Sequence, residues 1–396
     1  MIKKGDTIQI SIEDYAFGGK GIARIKDNNA IIFVKDGIPG QVVKARITKK
    51  KQNFMEASIM EVIEKSTLQK EHDFQPISGA PYIDLSVDDQ KNMKQKVCLE
   101  VFEKIGKLNQ PSKYIDQWII SPSSYHYRNK MEYSFSSIEY DLKLKDVVDD
   151  AFALGFKRKG TWWMVENLEK DSGLFDKQLE DSLHQIRTFL KETGLPAWHP
   201  PKKVGFFRHL VVRKSFKSDE LLFNLVSSSK GIKKFNVKLF GDFLATLFQA
   251  RFAGLIHTIN DDVGDREKLD KGSSKLVIGR SIIEEEINEL NFEISMQSFF
   301  QTNPKCAELL YQKVIEYLKE SDIPDDQFIM DLFCGTGTIA QLIAKTTKNK
   351  VIGVDLVESA ISNAKNNAEK NKFKNIHFFC DDVGKFLLNH PEYQDK

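Results

Sequence analysis

Residues 328–340 constrain the fold more than any other stretch, because a short apolar run leads directly into glycines and then into an apolar, helix-like segment. The run Phe328–Met330 has the composition of a buried strand. Gly335 and Gly337 allow a tight turn in which the backbone can approach a ligand. A helix that begins after such a turn points unpaired N–H groups at that ligand. The pattern predicts the start of a βαβ unit and hence a parallel α/β sheet.

Acidic residues end the strands of this unit. A second strand, Val351–Val354, leads into Asp355, which lies 24 residues after Asp331. An acid at that point can accept hydrogen bonds from both hydroxyls of an adenosine ribose. A third strand, Ile376–Cys380, is followed by Asp382, which could meet the adenine amino group. The strand ends therefore predict a nucleoside site.

Two cofactor classes compete for this site. The spacing Gly335-x-Gly337-x-x-Ala340 also fits the dinucleotide fingerprint, which needs a pyrophosphate over the helix N-terminus. Asp331 lies four positions before the first glycine, and a carboxylate there repels pyrophosphate. The same carboxylate suits the cationic methionine end of S-adenosyl-L-methionine. The charge argument therefore favours S-adenosyl-L-methionine.

The N-terminal 62 residues have a different pattern. Alternating apolar residues at Ile8–Ile12, and further β-rich runs, indicate about five short strands in about 60 residues, which predicts a small β-barrel of the OB type. Residues 1–62 contain 11 Lys or Arg and 7 Asp or Glu. The run Lys49–Lys51 is either a solvated turn or a phosphate-contacting edge of a nucleic-acid-binding barrel.

The middle of the chain mixes helices and strands. Apolar residues every three or four positions predict a helix at 89–108 and a second one at about 174–192. Tyr125–Phe135 is predicted as a strand in which basic and aromatic residues alternate. Such a strand is either an ordinary part of a sheet or an RNA-facing surface. No Ser/His/Asp arrangement and no metal-ligand spacing stands out.

Composition excludes several classes. No apolar run approaches the length of about 20 residues that spans a bilayer, and the N-terminus does not have the pattern of a signal peptide. The net charge of +2 points to no particular partner. Four widely spaced cysteines argue against disulfides and a zinc ribbon, so a cytoplasmic location is expected. The sequence implies no membrane association and no obligate protein partner.

Several motifs together resemble the RNA uracil-C5 methyltransferases. Ser298–Asn303, Asp331–Gly337 and Gly353–Asp355 look like the S-adenosyl-L-methionine site of that family. Tyr127–Lys130 resembles its central-domain signature, and Phe17–Gly21 resembles its RNA-binding TRAM domain. The motifs stand in the order of that family, and within it the chain most resembles the RlmD-like enzymes, which act on 23S ribosomal RNA.

The resemblance implies a multi-domain α/β protein. We expect a TRAM barrel at 1–62, a central α+β RNA-binding domain at 63–290, and the first half of a Rossmann-like methyltransferase domain at 291–396, onto which helix 89–108 packs. The implied cofactor residues are Gln301, Phe333, Gly335, Gly337, Thr338, Asp355 and Asp382. The implied RNA-binding residues are Lys20, Arg128 and Lys130. Family members often have Glu where this chain has Asp355, and the shorter acid can still accept from ribose.

The chain also departs from the family. Residues 71–81 contain no cysteine, so we expect no iron–sulfur cluster and no metal. The family's Asp-Pro-Pro-Arg motif, nucleophilic Cys and general-base Glu would lie beyond Lys396, so the resemblance assigns no catalytic residue here. The family reaction adds a Cys thiolate to C6 of uracil. We assign none of the four cysteines that role, so we expect no methyl transfer by this chain. A non-catalytic RNA-binding remnant and a methyltransferase acting on another nucleic acid remain alternatives.

Overall fold

The first 120 residues fold as one unit and the remainder as another. The computed structural model describes residues 2–25, 29–262 and 272–393, and it divides into Met1–Ile120 and Ser121–Lys396. The domain boundaries expected at residues 62 and 290 stay predictions. No helix among the described residues is long and apolar enough to cross a membrane.

The first unit begins with a six-stranded sheet. Its strands are β1 (Thr7–Ser11), β2 (Asp14–Tyr15), β3 (Gly21–Arg24), β4 (Ile31–Lys35), β5 (Val42–Lys50) and β6 (Phe54–Glu64), in the order β1-β5-β6-β4-β3-β2. Only the β4–β6 pair is parallel among these strands. Alternate residues such as Ile32 and Val43 are fully buried in its core, because successive strand residues point to opposite faces. The predicted strands are confirmed, whereas the two-residue β2 and the strand β3 were not predicted.

A single long helix follows the sheet in this unit. Helix α1 (Val87–Lys104) begins where the Ser86 hydroxyl accepts a hydrogen bond from the backbone N–H of Asp89. It ends four residues before the predicted position 108, because Gly106 follows and Lys107 has a positive φ. Of its residues only Val97 is buried. Its expected packing on the methyltransferase domain stays a prediction.

A seven-stranded mixed sheet forms the first part of the second unit. Its strands are β7 (Lys130–Asp141), β8 (Asp146–Lys157), β9 (Val165–Asn167), β10 (Phe207–Lys214), β11 (Leu221–Ser227), β12 (Phe252–Ile259) and β13 (Ser273–Gly279), in the order β13-β12-β11-β10-β7-β8-β9. Two helices, α2 (Lys177–Glu192) and α3 (Val237–Phe248), belong to this part. The strand predicted from residue 125 begins only at Lys130, so that prediction was wrong for 125–129. Helix α2 begins three residues later than predicted, because Asp176 caps it.

A hairpin and a parallel sheet complete the second unit. Their elements are β14 (Ile282–Ile287), β15 (Leu290–Ser295), α4 (Pro304–Glu320), β16 (Phe328–Leu332), α5 (Thr338–Thr346), β17 (Lys350–Asp355), α6 (Glu358–Lys370), β18 (Ile376–Cys380) and α7 (Val383–Asn389). The parallel sheet has the order β16-β17-β18, with Met330 opposite Ile352 and Ile352 opposite His377. The predicted βαβ unit is therefore confirmed. Helix α4 follows Asn303, whose side chain accepts a hydrogen bond from Cys306 N–H at 3.0 Å.

The ring of Phe378 explains two glycines of this sheet. A Cβ atom on Gly337 would lie 2.5 Å from that ring, and one on Gly353 would lie 2.4 Å from it. Any side chain at either position would therefore displace a buried aromatic residue. This close packing holds the turn after β16 against the middle of the sheet.

Candidate cofactor site

The turn between β16 and α5 has an unusual backbone. Phe333, Gly335 and Gly337 all have positive φ, at 66°, 55° and 73°. Glycine adopts this conformation readily, whereas a bulky residue such as phenylalanine is strained in it. A Cβ on Gly335 would meet no atom within 4 Å, so the space beside this glycine is open. The turn thus combines a strained backbone and an exposed ring at Phe333 with room for a ligand beside Gly335.

Asp355 fastens this turn to the end of the neighbouring strand. Its Oδ2 accepts a hydrogen bond from Gly335 N–H at 2.9 Å, and its Oδ1 accepts one from Val357 N–H at 2.8 Å. Each carboxylate oxygen has a further lone pair. The acid can therefore hold the turn and still accept from a ligand hydroxyl, which is the role that the sequence predicted for it.

Asp331 lies beneath the first turn of α5. Its Oδ2 accepts a hydrogen bond from Ala340 N–H at 2.9 Å. Burial raises the pKa of this carboxyl to about 6, the nearby charge of Asp355 adds to the rise, and the Ala340 N–H opposes it. The two acids that the sequence singled out thus lie in one electrostatic environment. The helix contact of Asp331 is a feature that the sequence did not indicate.

The loop before α4 connects this turn to the central-domain signature. The side chain of Asn129 donates to the carbonyl of Gln301 at 3.0 Å, and its backbone N–H donates to the carbonyl of Thr302 at 3.0 Å. Nearby, the Thr336 hydroxyl donates to the carbonyl of Phe299 at 3.4 Å. Asn129 makes these contacts from just before β7, outside the strand that the alternation of its neighbours predicted. Residues 127–130 and the glycine turn therefore both contact the loop at residues 299–302.

Two supporting residues were missed by the sequence reasoning. Arg213, which is 3% exposed at the end of β10, donates to the carbonyls of Met296 (3.1 Å) and Ser298. Tyr311 hydrogen-bonds the side chain of Gln301, and burial together with the charge of Asp331 raises the pKa of Tyr311 to about 12. The one available signal was an Arg that directly follows the apolar run Leu210–Val212. The structure therefore adds a buried clamp for the loop that carries Gln301.

The remaining cofactor candidates lie at helix starts. Thr338 is buried as the first residue of α5. Asp382 is exposed and caps α7, because its Oδ1 accepts from Lys385 N–H at 3.0 Å. The backbone of Asp381, just before it, donates to the carbonyl of Asp355 at 3.1 Å. The segment that carries Asp382 therefore starts beside Asp355, and contact of Asp382 with adenine stays a prediction.

The RNA-binding candidates have polar contacts of their own. Lys20 is 3.6 Å from a carboxylate oxygen of Glu56. The Nε of Arg128 donates to the carbonyl of Lys130 at 3.3 Å, and the backbone N–H of Arg128 donates to Leu174. Their roles toward RNA stay predictions.

The cysteine thiols are all free. Burial, reinforced by Asp331 and Asp355, raises the pKa of the Cys334 thiol well above its ordinary value. Burial also raises the pKa of Cys306. A raised pKa keeps a thiol protonated and unreactive. In the described parts of the chain, no group of three or more His, Cys, Asp or Glu side chains could hold a metal ion. The expectation of no iron–sulfur cluster stays a prediction.

Comparisons with known proteins agree with these observations. Residues 3–60 match the TRAM domain family, and residues 324–396 match a family described as a methyltransferase domain. An uncharacterized RNA methyltransferase of Clostridium tetani is 33% identical over 98% of this chain and 81% of its own length. Another, from Caldanaerobacter subterraneus subsp. tengcongensis, is 34% identical over 99% of this chain and 83% of its own length.

A solved structure shares the fold. The tRNA (uracil-54, C5)-methyltransferase of Pyrococcus abyssi, crystallised with S-adenosyl-L-homocysteine, is 20% identical, with a TM-score of 0.64 over 93% of this chain and 79% of that one. The predicted TRAM domain, methyltransferase fold and S-adenosyl-L-methionine cofactor are confirmed. The chain belongs to the RNA methyltransferases that carry a TRAM domain.

Proposed function

We propose that this enzyme acts on C5 of uracil in RNA, and that its RNA is 23S ribosomal RNA. The observation that carries the proposal is the pair of hydrogen bonds from Asn129 to the carbonyls of Gln301 and Thr302. They fasten the segment that resembles the family's RNA-binding signature to the loop beside the glycine turn. An RNA base held by that segment would thus lie close to the methyl donor.

The residues present fit S-adenosyl-L-methionine. Open space beside Gly335 leaves room for the ligand, and Asp355 has lone pairs free for ribose hydroxyls. An ionised Asp331 offers an acceptor for the cationic methionine end. The exposed Phe333 ring offers an apolar surface at the mouth of the turn. When bound, the cofactor supplies an electrophilic methyl group.

Attack at C5 requires a thiolate, because uracil becomes nucleophilic at C5 only after a nucleophile adds to C6. The Cys334 and Cys306 thiols have raised pKa values, and the Cys380 thiol donates to the carbonyl of Leu356 at 3.6 Å. The raised pKa values make Cys334 and Cys306 poor candidates for that nucleophile. This same observation favours the second candidate, a non-catalytic RNA-binding protein.

Calorimetry with S-adenosyl-L-methionine tests the cofactor site. Asp355→Ala removes hydrogen bonds to a charged acceptor, so we expect the affinity to fall about 10- to 150-fold, equivalent to ~1.5–3 kcal/mol. Asp355→Glu, which keeps the carboxylate, is the matched control, and we expect its affinity to stay within a few-fold of the wild type. Equal affinities for wild type and Asp355→Ala would disprove the assigned role of this acid.

A tritiated-methyl assay tests the reaction and the RNA. We expect transcripts of 23S ribosomal RNA to bind more tightly than transfer RNA at matched salt. Stronger binding of transfer RNA would overturn the ribosomal assignment. Turnover would show that one of the four cysteines acts as the nucleophile, and Ala substitution of each would identify it.

A further inference from the structure

Three neighbouring strands of the TRAM sheet carry aromatic and basic side chains on their outer side. We define this outer face by residues on β3, β4 and β6 and by two lysines beside them: Ile22, Arg24, Ile31, Phe33, Phe54, Glu56, Lys20 and Lys49. No sequence motif named above includes Phe33 or Phe54. We infer that the outer face binds single-stranded RNA by stacking bases on these two rings.

The alternation of burial fixes the direction of both rings. Ile32 and Val34, on either side of Phe33, are 0% exposed and belong to the barrel core. Met55 and Ala57 belong to the same core and have the same parity along β6. Because successive strand residues point to opposite faces, Phe33 and Phe54 point outward, and both are half-buried rather than enclosed.

Strand pairing brings the two rings together. Phe33 is opposite Glu56, and Ile31 is opposite Phe54, in the parallel β4–β6 pair. The ring centroids are 5.6 Å apart with an interplanar angle of 66°. Ile22 lies beside Phe33 on the other side, in the antiparallel β3–β4 pair. The result is a continuous apolar strip across three strands.

Positive charge borders this strip. Lys20 and Lys49 lie 3.6 and 3.9 Å from the same Glu56 oxygen, so two cations share one carboxylate. Both lysine side chains are well exposed, at 40% and 51%. On the opposite border Arg24 is paired in register with Ile31. A surplus of positive charge beside half-buried, outward-facing rings suits a polyanion with aromatic bases.

Base stacking is the specific part of this inference. Folding of the barrel needs only the inner face to be apolar, and a solvent-facing side of a sheet is ordinarily polar. Every base has a π-face, so stacked rings bind single strands with little sequence preference, whereas a paired RNA helix hides its base faces. The inference rests on the RNA substrate proposed above, and it adds where and how a single-stranded segment is held.

Fluorescence anisotropy with the full chain tests the stacking. The probes are an oligouridylate of about ten nucleotides and an abasic RNA of equal length, which keeps the phosphates and lacks the bases. We expect Phe33→Leu and Phe54→Leu each to weaken oligouridylate binding about tenfold, equivalent to about 1.4 kcal/mol, and to leave binding of the abasic RNA unchanged. Phe102→Leu is the matched control, because Phe102 is an exposed ring on α1 outside the sheet.

Further variants separate stacking from folding and charge. Phe33→Tyr and Phe54→Tyr keep a ring, so we expect them to bind oligouridylate as tightly as the wild type does. Lys49→Gln should lower the slope of log affinity against log salt by about 0.7 for both probes, because one phosphate contact is lost. Circular dichroism melting of every variant detects any loss of the barrel fold.

The outcomes are decisive in either direction. The inference is overturned if the Leu variants, folded as the wild type is, bind oligouridylate with wild-type affinity, or if the wild-type protein binds both probes equally. It is also overturned if the Tyr variants bind as weakly as the Leu variants. Calorimetry with S-adenosyl-L-methionine on the same proteins reports the proposed function separately, because we expect Phe33→Leu to leave cofactor affinity unchanged.

Discussion

Replacement of Asp331 by Asn should stabilise the fold around β16 and α5 and should lower the affinity for S-adenosyl-L-methionine. The pKa of this carboxyl is 3.8 in the reference state and about 6 in the folded protein, chiefly because of burial. A difference of about 2 pKa units corresponds to about 3 kcal/mol. That penalty applies to the ionised form, since the fold favours the protonated one. The Asn side-chain oxygen can still accept from Ala340 N–H, so the hydrogen bond survives the change.

The sign of the pH dependence follows from the raised pKa. Below pH 3.8 the carboxyl is protonated in both the folded and the unfolded chain, and no penalty applies. Between pH 3.8 and about 6 the folded state binds more protons, so stability falls as the pH rises through this window. Above it the full penalty remains. We therefore expect Asp331→Asn to stabilise by up to about 3 kcal/mol at pH 8 and by little at pH 4.

Hydrogen–deuterium exchange resolved by peptide measures this locally. At pH 8 the free energy of opening of β16 and α5 should be higher in Asp331→Asn than in the wild type. Between pH 4 and pH 6 this free energy should fall in the wild type and stay constant in the variant. The control is Asp326→Asn, an exposed acid just before β16, which should change neither value. Faster exchange of β16 in Asp331→Asn at pH 8, or an unchanged pH slope, would refute the reasoning.

Cofactor binding should change in the opposite direction. Wild-type affinity for S-adenosyl-L-methionine should increase as the pH rises through about 6, because ionised Asp331 is the acceptor for the cationic end. Asp331→Asn should bind more weakly by about tenfold or more and without this rise, as measured by calorimetry. Unchanged affinity at pH 7.5 would remove Asp331 from the cofactor site while leaving the stability argument intact.

Three further predictions concern other parts of the second unit. Burial raises the pKa of fully buried Glu180 from 4.5 to about 7, so the stability of the unit should fall as the pH rises through that window. Glu180→Gln should reduce this fall, as measured by urea titrations followed by tryptophan fluorescence. Arg213→Met leaves two carbonyls without their donor and should weaken cofactor binding about tenfold in calorimetry, with no effect on TRAM-dependent RNA binding. Phe333→Gly relieves a strained backbone by about 1 kcal/mol, so thermal stability should not fall, whereas cofactor affinity should drop several-fold.

Local patterns predicted the elements that local forces determine. The strands β16, β17 and β18 and the glycine turn all follow from residues within a few positions of one another. The contacts that assemble the site span the chain instead. Asn129 bonds a loop 172 residues later, and Arg213 bonds carbonyls 83 and 85 residues later. No periodicity within one element reports such partners, because they are determined by how the strands pair.

The positive φ of Phe333 is a second feature of the site that the sequence could not predict. Sequence rules place glycine or asparagine at such positions, so a phenylalanine there gives no signal of a left-handed backbone. Its ring is 76% exposed, so packing of the ring contributes little that could offset the strain. A strained and exposed aromatic residue beside an open glycine is better explained by contact with a ligand than by folding.

The lysine run at 49–51 shows why charge patterns need strand pairing before they can be interpreted. The sequence alone left two interpretations of this run open, a solvated turn or a phosphate-contacting edge. In the folded sheet the first two lysines differ in their contacts: Lys49 lies 3.9 Å from Glu56 on β6, whereas Lys50 donates to the carbonyl of Ile2 at 2.7 Å. Lys49 is paired in register with outward-facing Glu56 and Lys50 with inward-facing Met55, so of these two lysines Lys49 is the one that borders the aromatic outer face. Charge reversal at Lys49 should therefore weaken binding of single-stranded RNA more than the same change at Lys50.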